Sequence, residues 1–180
     1  MKVIQNIVRE LEAKGILENI IRVPNFPDEP QGYWYRAILR RSPDVYGFSL
    51  NSPMSALTRC LTTALELGES GNRRKKATLE IIRNRRTTGN RINLSSMRSK
   101  KVKTTLQKIN RYRLEIILFH KTAGVKISVF TAIIKDRTGL GPAVSRGVSI
   151  NPNTIAAILE SIDDALLMRN LRRRELYEKK

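Results

Sequence analysis

The chain is predicted to be an α+β protein, and two observations carry that expectation. The first is a near-repeat. Ala37-Ile38-Leu39-Arg40 precedes Gly47-Phe48-Ser49-Leu50-Asn51, and Ala132-Ile133-Ile134-Lys135 precedes Gly147-Val148-Ser149-Ile150-Asn151. Gly47, Ser49 and Asn51 each recur 100 positions later as Gly147, Ser149 and Asn151. The second is the stretch after each copy: a proline (Pro53, Pro152) and then an apolar segment of helical period. Each copy therefore reads strand, turn, Gly-x-Ser-x-Asn, helix, with the two arms spanning about 33–66 and 129–169. A helix start with free N–H groups is a natural place to hold phosphate, so paired arms suggest one shared site.

The first elements lie in residues 2–21. They alternate charge and apolar groups at helical spacing and read as one or two helices broken at Gly15, not as a signal peptide. Pro24, Pro27 and Pro30 then imply an extended linker. Tyr33–Leu39 and Val45–Leu50 read as strands around a turn at Ser42-Pro43-Asp44. Asn51 or Ser52 caps a helix with Ala56, Leu57, Cys60, Leu61, Ala64 and Leu65 on its buried face. Helices are expected near 75–86 and 99–111, with a loop around 89–96. Leu114–Phe119, Lys126–Ile134 and Ala143–Ile150 read as strands, and Asn151 as the cap of a last helix built on Ile155, Ile158, Leu159, Ile162 and Leu166. Residues 1–31 thus form an N-terminal helical segment and linker, 32–170 one domain, and 171–180 a basic tail.

Charge is the strongest compositional signal. Among 180 residues, 34 Lys and Arg oppose 16 Asp and Glu, a net charge of +18 that favours phosphate, nucleic acid or an acidic partner. Residues 72–113 hold 15 of the cations and a single acid, Glu80. The single cysteine, Cys60, excludes an internal disulfide and reads as a small core residue in a reducing compartment. One His and one Cys make a zinc site untenable. No apolar run approaches the ~20 residues of a membrane span, so a cytoplasmic protein without a membrane partner is expected. Gly139-Leu140-Gly141-Pro142 lacks the Lys-Ser/Thr of a phosphate loop and reads as a turn.

The few acids are informative. Glu66 lies late in the first repeat helix, Glu80 in the basic segment, and Glu160, Asp163 and Asp164 in the last helix. Registering Ala64 on Ala165 sets Thr63 opposite Asp164 and Glu66 opposite Leu167. Carboxylates converging from separate helices suit Mg²⁺ and phosphate.

Local motifs add to this. Gly47-Phe48-Ser49 followed by Ala56-Leu57 through Ala64-Leu65-Glu66-Leu67, then Leu79-Glu80-Ile81-Ile82-Arg83, Ile92-Asn93-Leu94-Ser95-Ser96-Met97, Ser145-Arg146-Gly147 and Asp164 to Arg169 occur in an order similar to the YcaO family. The resemblance covers roughly residues 33–170 and implies a compact YcaO-like domain. It implies ATP and Mg²⁺ as cofactors for activating peptide-backbone amides, with azolines or thioamides as products of a cyclodehydratase-like reaction. Glu66, Glu80 and Asp164 would inherit the metal-ligand roles, and Ser49 and Arg169 would lie near the nucleotide. The partners implied are a peptide or protein substrate and a delivery protein. The chain departs from the family pattern at Thr63, Arg83 and Leu167, which implies reduced or lost catalysis.

The alternative is a basic nucleic-acid or ribosome-binding protein. It draws on the cationic segment 72–113, where Tyr112 stands between Arg111 and Arg113. Neutralising several phosphates gives strong, salt-sensitive binding.

Overall fold

The structure, a computed structural model, describes residues 2–40, 42–68, 90–123 and 127–178. The described residues form an α+β fold with two antiparallel sheets. The chain divides into two compact units, Met1–Ile81 and Ile82–Lys180.

The first unit runs α1 (Lys2–Ala13), β1 (Leu17–Arg22), β2 (Tyr33–Leu39), β3 (Val45–Ser49) and α2 (Pro53–Gly68). The three strands form an antiparallel meander in the order β1-β2-β3. Leu11 of α1, Leu17, Ala37, Leu39 and Val45 of the sheet, and Cys60, Leu61 and Ala64 of α2 make one core. Segment 1–31 therefore belongs to this unit rather than standing before it. Residues 17–22 are a strand, not the helix that their apolar spacing suggests. Gly15 ends α1 with φ +63°, a left-handed turn that glycine adopts without a Cβ penalty.

The proline-rich stretch is also not an extended linker. Val23 N–H donates to Trp34 O (2.8 Å), Asn25 Nδ2 to Gly32 O (2.8 Å), and Phe26 N–H to Glu29 Oε1 (2.8 Å). The loop closes on itself, and Trp34 and Phe48 are buried on the sheet face opposite the one that carries Ala37, Val45 and Gly47.

The second unit runs β4 (Asn90–Ile92), a 3₁₀ turn (Leu94–Ser96), α3 (Lys100–Asn110), β5 (Leu114–Ala123), β6 (Ile127–Asp136), β7 (Val144–Ile150) and α4 (Thr154–Glu178). The sheet order is β4-β5-β6-β7, all antiparallel. Leu118, Ala132 and Gly147 stand side by side across it, facing α4. The expected helix at 75–86 lies outside the described residues. The expected loop at 89–96 contains β4 and the 3₁₀ turn. Asn153, rather than Asn151, caps α4: its Oδ1 accepts from Ala156 N–H (3.0 Å), while Asn151 Oδ1 accepts from Asn153 N–H (2.9 Å). The basic tail starts inside α4, where Arg173 is 2% exposed.

The repeat is larger than the sequence suggests. From α1 and from α3, each unit follows the same order: helix, three-stranded meander, helix. Its register also differs. Gly47 faces Tyr35 across the sheet and Gly147 faces Ala132, so Tyr35, not Ala37, corresponds to Ala132. A Cβ at Gly47 would strike Ala56 O and Cys60 N; one at Gly147 would strike Ser161 O and Ala165 N. Both glycines let a helix backbone lie directly on the third strand. Relative to its strand, α4 sits five residues, about one and a half turns, further on than α2 does.

Candidate functional site

The corrected register changes the pairing of the repeat-helix residues. Asp164 corresponds to Arg59, not to Thr63. Both hold the same backbone position: Arg59 Nη1 donates to Phe48 O (3.1 Å), and Val148 N–H donates to Asp164 Oδ2 (3.1 Å). The side chain of Asp164 thus ties α4 to β7.

The other described residues singled out in the sequence each have a place within their own unit. Ser49 is buried at the end of β3, where its Oγ accepts from Asn51 N–H (3.4 Å). Glu66 is exposed near the C-terminal end of α2, about 20 Å along the helix from the Ser49 end. Glu80 lies outside the described residues. Arg169 is 1% exposed, and its Nη2 pairs with Asp136 Oδ2 at 2.7 Å. Its Nε donates to the same oxygen at 2.8 Å, and Nη1 donates to Asn170 Oδ1 at 3.1 Å. Burial pushes the Asp136 carboxyl up, but the Thr138 hydroxyl and N–H, together with Arg169, hold it below the usual carboxylate value. Arg169 thus anchors the β6–β7 turn to α4. Ser49 and Glu66 belong to one unit, and Asp164 and Arg169 to the other. Among the described residues, no group of three or more His, Cys, Asp or Glu side chains is placed to hold a metal ion. Burial also pushes the Cys60 thiol up to about 11, and its Sγ lies 3.5 Å from Val45 O. That is the environment of an inert core cysteine.

The described charge concentrates elsewhere. Residues 1–68 hold eight Lys or Arg against seven Asp or Glu, whereas residues 90–113 hold eight against none. All eight (Arg91, Arg98, Lys100, Lys101, Lys103, Lys108, Arg111 and Arg113) are exposed. Most of them sit on or beside α3. Ser99 caps this helix, its Oγ accepting from Val102 N–H (3.5 Å). Val102, Thr105 and Ile109 are its buried residues, which fixes it against the unit and turns its lysines outward. At 3.6 residues per turn, the exposed positions cover about half the circumference.

A cleft of about 770 Å³ runs beside α3, with Leu94, Leu106 and Leu114 in its wall and Arg113 and Arg137 contributing cations. Arg137 is paired with Glu115 at 2.6 Å. Arg113 has φ +56° in the turn from α3 to β5, a left-handed backbone that costs a non-glycine residue about 1–3 kcal/mol. In the first unit, the turn from α1 to β1 uses Gly15 for the same purpose.

Sequence reasoning found the charge but not the surface. The signal was present: Lys100, Thr104, Gln107 and Arg111 recur at helical spacing within the predicted 99–111 helix. Among the described residues, no helix is long and apolar enough to cross a membrane. No family model matches the chain, and no curated protein matches it.

Proposed function

We propose that the protein binds nucleic acid through its phosphate backbone, with the outward face of α3 and its flanks as the contact surface. One observation carries this reading: eight exposed Lys and Arg side chains within residues 90–113, uninterrupted by any acid. Such a surface displaces condensed counterions from a polyphosphate, and the released ions drive association. Engaging about five of these cations gives a slope of log K against log salt of roughly −3.5 to −4.5. The test is titration of a fluorescent nucleic-acid duplex at about 50 and 200 mM salt, with wild type and with Lys101→Glu/Lys103→Glu. The wild type should bind with that slope. The reversal should weaken binding by about 100-fold or more at the lower salt, since it both removes contacts and adds repulsion. Equal binding by the two proteins would defeat the reading.

The Mg²⁺–ATP chemistry implied by the YcaO resemblance is a separate proposal that rests on motif order. The described placement does not favour it, because Asp164 and Arg169 are engaged within the fold and Glu66 stands exposed at a helix end. Its test is a thermal shift with ATP, with and without Mg²⁺. Stabilisation that needs both, and that is lost in Glu66→Ala/Glu80→Ala/Asp164→Ala, would restore it.

A further inference from the structure

We infer that α3 is a major-groove reading helix for double-stranded DNA, an inference that rests on the nucleic-acid reading above. The face of α3 is ordered as well as charged. Lys100, Thr104, Gln107 and Arg111 are all exposed and fall within about 60° of arc, forming its central stripe. Lys101 and Lys108 flank the stripe on one side and Lys103 on the other, also exposed. The opposite side of the helix is closed by Val102, Thr105 and Ile109.

This division of labour matches groove recognition. Flanking lysines meet the phosphates on either side of a groove and fix register. Central side chains meet base edges: Lys100 and Arg111 suit guanine O6 and N7, Gln107 suits adenine N6 and N7, and Thr104 suits a thymine methyl or a hydrogen bond. An α-helix about 10–12 Å across fits the ~12 Å major groove of B-form DNA. The major groove of A-form RNA is too narrow and deep for side chains to read. Single strands are the poorer match, because they are held by stacked aromatics. Tyr177 is the only aromatic among the large hydrophobic residues exposed on the described surface. At about 16 Å, α3 spans four to five base pairs of ~3.4 Å rise.

The first unit provides the internal contrast. Its corresponding helix, α1, and the turn that ends it expose Arg9 and Lys14 interleaved with Glu10 and Glu12, and Lys14 Nζ pairs with Glu10 Oε1 at 2.7 Å. The duplicated fold therefore presents one mixed helix and one cationic helix, and only the second suits a polyanion.

The experiment is selection by the full-length protein from a pool of DNA duplexes of roughly 20 base pairs with randomised centres. Titration then compares the enriched duplex, an unrelated duplex and the RNA duplex of the enriched sequence. A motif of about four to five base pairs should emerge, bound about ten-fold or more tightly than either comparison duplex. Gln107→Ala should lose about ten-fold of the preference at one position and leave the salt slope unchanged. Lys103→Ala should lower the slope by about one and leave the preference unchanged, and Arg9→Ala should alter neither. Salt-steep binding of DNA with no enriched motif, or equal binding of the RNA duplex, would overturn the reading helix while leaving nucleic-acid binding in place. Failure to bind any duplex would overturn both.

Discussion

Replacing Asp136 with Asn removes a counter-charge from the buried Arg169 of the second unit. Arg169 is 1% exposed, its partner carboxyl is sealed, and Nε and Nη2 both converge on the same Asp136 oxygen at 2.7–2.8 Å. Breaking a buried pair from one side leaves a desolvated charge and costs about 3–5 kcal/mol. For a unit of this size, that corresponds to a fall in Tm of roughly 15–30 °C, read by differential scanning calorimetry. Asp136→Asn/Arg169→Met removes both charges at similar volume and should recover most of the loss, because an apolar replacement of a buried pair is often neutral. The pair also has a pH signature. The folded-state pKa of Asp136 lies below its ordinary value, so its stabilisation is full above that ordinary value and is lost as pH falls through the folded one. Wild type should therefore lose stability in acid more steeply than Asp136→Asn. A drop of less than about 5 °C, or a double variant no better than the single, would refute the argument.

The packing implies three further outcomes. Gly147→Ala forces a methyl against Ser161 O and Ala165 N and should destabilise the second unit by about 1–3 kcal/mol, measured by urea denaturation. Cys60, with its thiol pushed up to about 11, should alkylate at pH 8 about 100-fold or more slowly than an exposed cysteine and react normally once urea unfolds the first unit. Arg113→Gly should relieve the left-handed strain and raise stability by about 1 kcal/mol while weakening duplex binding, a pair of opposite effects seen by melting and by titration.

Much of the fold was legible in the sequence, and the failures have identifiable causes. Tyr33–Leu39 emerges with the expected bounds because its aromatic and apolar alternation is intact. Leu17–Arg22 reads wrongly as helix because a register shift between Leu17 and Asn19 breaks that alternation. Leu17 and Ile20 both join the core despite a spacing of three, which imitates a helix. Proline geometry alone makes the proline-rich loop look extended, and its closure depends on side-chain bonds from Asn25, Gln31 and Glu29 that no local rule announces. The repeat was visible through Gly47 and Gly147, but the five-residue offset of α4 was not. Sequence alignment follows chain position, whereas docking follows where a helix backbone meets a glycine. Arg169 illustrates the same limit for the candidate site: its partner Asp136 is 33 residues away, and only the sheet brings them together. The cationic surface was legible as composition, and its division into a central stripe and flanks required knowing which side of α3 is buried.

Lysine acetylation footprinting, with and without a saturating nucleic-acid duplex, tests the central claim most directly. Lys100, Lys101 and Lys103 should be protected when the duplex is bound, while Lys14, directly after the corresponding helix of the first unit, stays reactive. Protection of Lys14 with Lys100, Lys101 and Lys103 unchanged would place the binding surface elsewhere and contradict the account.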